Sequence, residues 1–146
     1  MLTRAFISTA LWTLSFCGTR QFHVVNVNKN WTDAQKYCRE KFTDLATIES
    51  KEEMNALLVG VIGTEGLFWI GLSQNVEQNI WIWSDVSNFS YRYWNTGEPN
   101  NPVGDVCVIL WNPSTYRWND LSFYYLHPFI CYKPLGGNSC LLCLHC

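Results

Sequence analysis

The sequence predicts a single α+β domain, and three features of its amino-acid pattern support that prediction. Two stretches with helical periodicity come first, each opened by residues at capping-box spacing. After Gly66 the chain changes to short runs of β-branched and aromatic residues separated by turn residues. Helices followed by strands are typical of the α+β class. A length of 146 residues without an internal repeat suits one domain.

The predicted helices follow an opening strand, "FHVVNV" (Phe22 to Val27). In "NWTDAQKYCREKF", Thr32 and Gln35 have the spacing of a capping box, so this spacing predicts Thr32 as the N-cap. In "ESKEEMNALLVGVI", Ser50 and Glu53 repeat that spacing. The apolar stripes expected to face the core are Ala34, Tyr37, Cys38 and Phe42 in the first helix, and Met54, Leu57, Leu58 and Val61 in the second.

Five later runs have the character of short strands. They are "LFWIGLS", "IWIWSD", "VCVILW", "YRWNDL" and "PFICYK". A polar stretch from about residue 88 to residue 106 separates the second run from the third. A connection of that length is usually functional rather than a simple turn.

The N-terminus has the pattern of an export signal, predicted here as residues 1–18. One positive charge at Arg4 precedes an apolar run of twelve residues, "AFISTALWTLSF", and the small residues Cys17 and Gly18 follow it. The run is too short to cross a bilayer, and a buried N-terminal helix is the alternative. The mature chain is therefore expected to be secreted and not inserted in a membrane.

If the chain is secreted, its seven cysteines are expected to form disulfides, because oxidising compartments favour them. If Cys17 leaves with the signal, the remaining cysteines are Cys38, Cys107, Cys131, Cys140, Cys143 and Cys146. Two glycosylation sequons, at Asn30 and Asn88, fit the same compartment and predict a glycoprotein. A formal charge of −2 and the absence of a basic cluster argue against a nucleic-acid partner.

The long polar stretch also carries a concentration of oxygen ligands. Glu98, Asn100, Asn101 and Asp105 all offer acceptors, and no histidine or thiol interrupts them before Cys107. Hard cations such as calcium take six to eight oxygen ligands. These residues are therefore a candidate calcium loop, with a solvated turn as the alternative.

Taken in order, the motifs resemble those of a C-type lectin domain. The matching pieces are "WTDAQKYC", "DLATIES", "FWIGL", "WSD", "YWNTGEPNN", "VCV", "WND" and "PFICYK". The resemblance extends over residues 20–133, is greatest to the short secreted or receptor-derived domains of the immune type, and leaves residues 134–146 as a cysteine-rich tail. It implies a fold of two helices and two small antiparallel sheets, with a long loop that holds calcium.

The resemblance also implies a site and a ligand. Its implied calcium ligands are Glu98, Asn100, Asp105, Asn119 and Asp120. The implied sugar contacts are Glu98 and Asn100 for one hydroxyl, and Asp105 and Asn119 for the neighbouring hydroxyl. The family uses a cis peptide before the proline, here Pro99, to aim the flanking side chains.

The order Glu-Pro-Asn implies mannose-type sugars with equatorial vicinal hydroxyls, whereas Gln-Pro-Asp goes with galactose. The implied partners are mannose-type glycans on glycoproteins or microbial surfaces, which is a role in innate immunity. A second, auxiliary calcium is not expected, because the corresponding positions, Gln74, Gln78, Asn101 and Val106, lack the carboxylates.

The resemblance pairs Cys38 with Cys131 and leaves Cys107 without its usual partner, since Phe123 stands at that position. Cys107 is then a buried thiol, or pairs with a tail cysteine, or lies in a loop less rigid than in relatives. For the tail, the alternatives are intermolecular disulfides that form an oligomer, an unstructured end, or zinc binding by Cys140, Cys143, His145 and Cys146.

Two other functions are weighed against the lectin. Paired carboxylates among Glu98, Asp105 and Asp120 invite comparison with a glycosidase, but carboxylates bound to calcium are poor proton donors. No nucleophile motif accompanies His23 or His127, so no enzyme activity is expected. The stronger alternative is a protein-interaction or ice-binding domain of the same fold that does not depend on sugar.

Overall fold

The computed structural model describes residues 19–101, 104–111 and 115–136. The predicted signal peptide and all of the predicted tail beyond Gly136 lie outside the described residues. The elements in chain order are β1 (Arg20–Lys29), α1 (Trp31–Lys41), β2 (Asp44–Leu45), α2 (Lys51–Val61), β3 (Phe68–Asn75), β4 (Ile80–Trp83), β5 (Val106–Leu110), β6 (Trp118–Ser122) and β7 (His127–Pro134). The α+β class with two helices is confirmed, and each predicted strand run overlaps an observed strand.

The seven strands form one mixed sheet rather than two separate sheets. The order is β1-β7-β3-β5-β6, with β2 paired to β7 and β4 paired to β3. Every pair is antiparallel except β3 with β7, which meet in parallel at Trp69 and Phe129. This pair joins the antiparallel group of β1, β2 and β7 to the antiparallel group of β3, β4, β5 and β6. Both residues of the pair are fully buried, so the junction lies in the core.

The helix caps are set by side chains immediately before each helix. For α1 the cap is Asn30 and not the predicted Thr32: the Asn30 Oδ1 accepts the N–H of Asp33 at 2.8 Å. The helix begins early because Trp31 is drawn into the core, where its indole N–H donates to the Ile70 carbonyl at 2.8 Å. For α2 the predicted cap is confirmed, since the Ser50 Oγ accepts the N–H of Glu53 at 3.2 Å.

The core lies on both faces of the sheet. Of the apolar stripe predicted for α2, Met54, Leu57 and Val61 are buried, whereas Leu58 is only half-buried. Trp118 is fully buried and makes edge-on ring contacts with Trp83 and Trp94, so it is part of the core and is not exposed to a ligand. The aromatic content of the sequence therefore goes largely into this core.

Gly71 in the middle of β3 allows a close approach of two backbones. Its N–H donates to the Ala46 carbonyl at 2.9 Å, and a Cβ added at Gly71 would lie 2.9 Å from that same oxygen. No side chain fits in this space. The glycine of the "FWIGL" motif is thus required by packing of the sheet against the segment after β2.

The disulfide between Cys38 and Cys131 ties α1 to β7, as predicted. The two residues are 93 positions apart in sequence, and their Cα atoms are 5.4 Å apart. Cys107 is a buried thiol that has no disulfide partner among the described residues. The tail cysteines lie outside those residues.

Removal of this crosslink is expected to destabilise the fold substantially. Because the bond closes a loop of 93 residues, the Cys38→Ala and Cys131→Ala double variant should lose about 3–5 kcal/mol of unfolding free energy. Guanidinium denaturation measures the change. The matched control is Cys107→Ala, which removes a buried sulfur without removing a crosslink. Equal denaturation midpoints for the two variants would contradict the prediction.

Stability is also expected to fall in mild acid because of His23. Its ring lies 4.9 Å from that of Phe42, and its Nε2 is buried without a hydrogen-bond partner among the described residues. Burial, and secondarily the charge of Lys133, lower the pKa of His23 from 6.5. Burial likewise lowers the pKa of His127.

Because the folded-state pKa is depressed, the unfolded chain takes up the proton first as the pH falls below 6.5. Stability is therefore full above that pH and decreases below it. Denaturation midpoints measured between neutral and mildly acidic pH should fall less steeply for His23→Gln than for the wild type, with the remaining slope assigned in part to His127. Parallel curves for the two proteins would count against the role of His23.

Candidate functional site

The long loop between β4 and β5 docks onto the outer edge of β6. Trp94 forms an isolated parallel bridge with Trp118. The Trp118 N–H donates to the Tyr93 carbonyl at 2.8 Å, and the Asn95 N–H donates to the Trp118 carbonyl at 2.8 Å. These bonds place the segment after Asn95 directly beside Asn119 and Asp120.

Asp120 is the point at which the two segments meet. Its residue surface is only 4% exposed. One carboxylate oxygen accepts the N–H of Asn100 and the other accepts the N–H of Asn101, both at 3.0 Å. The Asn101 side-chain amide also donates to the Asp120 carbonyl at 2.7 Å. Residues 20 positions apart in sequence are thereby held together.

Glu98 lies beside this junction, preceded by a tight turn and followed by the expected cis peptide to Pro99. Gly97 has a φ of 81°, a conformation that favours glycine. The Glu98 Oε1 accepts the side-chain N–H of Asn100 at 2.7 Å. The Oε2 is buried and has no hydrogen-bond partner among the described residues.

The pKa of Glu98 is affected by the neighbouring acid Asp120. Burial, together with the adjacent carboxylate of Asp120, raises the pKa of Glu98. Two carboxylates held together in this way repel each other when both are ionised. A divalent cation between them would relieve that repulsion and would satisfy the unpartnered oxygen.

Asn119 is connected to the same loop through Asn95. Its Oδ1 accepts the side-chain N–H of Asn95 at 3.3 Å, and the Asn95 carbonyl accepts the Glu98 N–H at 3.0 Å. Sequence analysis did not single out Asn95. Its position three residues before Glu98, within the quoted "YWNTGEPNN" motif, was the signal that could have identified it.

Asp105 is not brought into this group. Its carbonyl accepts the N–H of Phe123 at 3.2 Å, and the residue lines a separate cavity with Cys107. Over residues 19–101, 104–111 and 115–136, no three His, Cys, Asp or Glu side chains lie close enough to hold a metal ion. Four of the five predicted ligands therefore lie together, with Glu98, Asn100 and Asp120 in one network and Asn119 joined to it through Asn95.

The donor set fits calcium by its chemistry. It combines two carboxylates with amide oxygens and contains neither nitrogen nor sulfur ligands, which is the preference of a hard cation. The Glu98 Oε2, which is buried and has no partner in the described part of the chain, is an acceptor that such an ion would engage. These residues could hold one calcium ion.

The start of the loop is anchored by the "WSD" motif. The Ser84 hydroxyl donates to the buried Asp44 carboxylate at 2.6 Å, and the Tyr132 hydroxyl donates to Asp85 at 2.8 Å. Burial acts to raise the pKa of Asp85, but hydrogen bonds from Ser87 and Tyr132 outweigh it, so the pKa is lowered. These hydrogen bonds attach the start of the loop to β2 and β7.

Comparison with known proteins agrees with this architecture. The family described as Lectin C-type domain matches residues 27–133. A mannose-binding isoform of C-type lectin from Oxyuranus scutellatus is 42% identical over 118 residues, which cover 75% of this chain and 74% of that protein. Neither described helix is long and apolar enough to cross a membrane.

Two solved structures show the same fold. The carbohydrate-recognition domain of the mouse scavenger receptor C-type lectin has a TM-score of 0.72 at 28% identity, covering 83% of this chain and 93% of that one. A calcium-independent type II antifreeze protein has a TM-score of 0.72 at 30% identity, covering 81% of this chain and 88% of that one. The chain belongs to the C-type lectin domain family, and its lectin homologues are carbohydrate-binding proteins rather than enzymes.

Proposed function

We propose that this protein is a secreted, calcium-dependent lectin that binds mannose-type sugars through Glu98, Asn100, Asn119 and Asp120. The observation that carries the proposal is the convergence of two distant segments on the Asp120 carboxylate, with the Glu98 Oε2 buried beside it and without a hydrogen-bond partner among the described residues. Asp105, the fifth expected ligand, would have to turn away from the cavity to take part.

The side chains supply both halves of a sugar-hydroxyl contact. A calcium ion held by these residues would supply further coordination positions for two neighbouring hydroxyls of a sugar. Glu98 offers carboxylate acceptors, and Asn100 offers an amide N–H that now donates to Glu98. A hydroxyl placed between them can donate to the first and accept from the second. Asn119, held by Asn95, orients the opposite side of the site.

The order of residues in the loop supports mannose-type specificity. Glu98 and Asn100 flank Pro99 in the order that the family resemblance associates with equatorial vicinal hydroxyls. Two relatives of this chain, from Oxyuranus scutellatus and Notechis scutatus scutatus, are themselves described as mannose-binding. The partners proposed are mannose-type glycans on glycoproteins or microbial surfaces. A single shallow site binds weakly, so clustering is needed for avidity, and disulfide-linked oligomers through the tail cysteines are the proposed means.

The direct test is retention on mannose-agarose in calcium and again in a chelator. We expect retention in calcium and release by the chelator or by free mannose. A glycan array run under the same two conditions identifies the preferred sugars. Absence of retention in calcium, or retention that the chelator does not change, would overturn the proposal.

Replacing Asp120 by asparagine is expected to weaken calcium binding at least about tenfold, because a carboxylate ligand and the acceptor for a loop N–H are both lost. Calcium titration by calorimetry measures this loss, and mannose retention should fall with it. The matched control is Glu52→Gln, which removes the same charge from the exposed face of α2. An equal loss in both variants would indicate a general charge effect instead.

Exchanging Glu98→Gln together with Asn100→Asp is expected to move preference from mannose towards galactose, since the exchange reverses the positions of carboxylate and amide around Pro99. Competition by the two free sugars for a labelled glycoconjugate measures the ratio. Wild-type protein treated identically is the reference. A double variant that still prefers mannose would refute the specificity assignment.

The alternative function, ice or protein binding without sugar, is favoured by one observation: the similarity to a calcium-independent antifreeze protein. Thermal hysteresis measured in chelator distinguishes the two functions. Hysteresis without calcium, combined with no mannose retention, would establish the alternative.

A further inference from the structure

An exposed arginine, Arg117, directly precedes β6 and lies two residues before Asn119. The Trp111 N–H donates to the Arg117 carbonyl at 2.8 Å, so the pairing of β5 with β6 continues to this residue. Along such an extended segment, two residues span roughly 6.5–7 Å. Arg117 is therefore close enough to Asn119 for one glycan to contact both side chains.

The guanidinium of Arg117 lies against the same stretch of the long loop that Asn119 contacts. Its Cζ is 4.5 Å from the centroid of the Tyr93 ring, which is the geometry of a cation–π interaction. Its Nη1 donates to the Trp94 carbonyl at 3.4 Å. Asn119 is joined to the next residue of the loop, Asn95, through their side chains. The positive charge is thus held beside the candidate sugar site.

No carboxylate neutralises this charge within the described part of the chain, where Arg117 makes no ion pair. An acid in the neighbourhood is Glu52, as the Tyr91 phenol shows. Burial is the main cause of the raised pKa of Tyr91, the charges of Tyr93 and Glu52 add to it, and Arg117 opposes it. Because Glu52 is exposed and unpaired with Arg117, the guanidinium remains available to an anion from solution.

The donors that Arg117 leaves unused suit a tetrahedral oxyanion. A guanidinium has five N–H donors in a planar fork, and among the described residues Arg117 uses one of them, in a long hydrogen bond. Two parallel N–H groups bind two oxygens of a phosphate or a similar group, and these charge-assisted bonds are about twice as strong as neutral ones. A neutral sugar hydroxyl offers no such match.

We propose that Arg117 binds a phosphate or sulfate ester on a glycan whose neighbouring hydroxyls occupy the site around Asp120. The inference rests on the proposed lectin function and narrows its ligand class to anionic mannose-type glycans. The 6-position of a hexose is a suitable place for the ester, because it lies outside the ring and is not one of the vicinal ring hydroxyls.

The test is competition for a labelled mannosylated glycoconjugate in calcium. Mannose 6-phosphate and mannose 6-sulfate should compete at concentrations about threefold to tenfold lower than mannose, since each adds a charge-assisted contact at an exposed position. The ester that competes better identifies the source of the oxyanion. Equal competition by mannose and both esters would overturn the proposal.

Galactose 6-phosphate is the matched probe, because it carries the same charge on a sugar that the Glu-Pro-Asn order disfavours. It should compete more weakly than mannose 6-phosphate. If the two phosphates compete equally, the charge alone attracts them, and Arg117 does not act together with the sugar site.

Variants of Arg117 locate the contact. Arg117→Gln should abolish the advantage of the esters and leave the affinity for mannose nearly unchanged, because the loop is held by the 2.8 Å backbone bonds of Trp118 rather than by the longer bond from Arg117. Arg117→Lys keeps the charge without the planar fork and should retain part of the advantage. The control, Lys41→Gln, removes the same charge from an exposed position in α1 and should change nothing.

The ratio of ester affinity to mannose affinity is the decisive quantity. A ratio that Arg117→Gln leaves at the wild-type value, or that Lys41→Gln lowers equally, would refute the contact. A variant that loses mannose and ester affinity by the same factor would show that Arg117 only supports the loop.

Failure of this inference is distinguishable from failure of the lectin function. If mannose binds in calcium and the esters gain nothing, the role of Arg117 is wrong and the lectin function stands. If mannose itself does not bind in calcium, the lectin function fails and this inference fails with it.

Discussion

The buried carboxylate of Asp120 is the interaction on which the candidate sugar site depends. Each of its oxygens accepts one backbone N–H from the long loop, and the low exposure of the residue limits competition from water. Hydrogen bonds to an ionised acceptor are stronger than those between neutral groups. Asp120 lies on edge strand β6, and the donors, Asn100 and Asn101, lie on the loop. Its side chain therefore holds two segments that are distant in sequence at the same site.

The loop can be positioned in this way because its surroundings are rigid. Trp118 lies under it, with the rings of Trp83 and Trp94 packed edge-on at 5.9 Å and 6.1 Å. At its start, Asp85 is tied to Tyr132 on β7, a strand that the disulfide in turn ties to α1. An irregular backbone is thus supported by buried aromatic area and by bonds to regular elements, which is the requirement for a preorganised binding site.

Asp120, within β6, and Asp105, just before β5, have different environments and therefore different chemistry. Asp120 is buried beside Glu98, where repulsion between the carboxylates favours a divalent cation. Asp105 is exposed at the edge of a cavity that contains Cys107 and Phe123. Phe123 stands where the family resemblance places a cysteine, and its ring lines this cavity together with the Cys107 thiol.

The local sequence pattern was sufficient to predict most of the helices and strands of this protein. Helical periodicity, the Ser50 cap, the strand runs and the pairing of Cys38 with Cys131 were all predictable, because they depend on residues close in sequence or on an ordered set of family motifs. The Asn30 cap, the joining of two sheets at Trp69 and Phe129, the role of Asn95 and the separation of Asp105 from Glu98 were not. Each of these depends on contacts between residues distant along the chain, and such contacts exist only once the core has packed and the loop has closed over β6.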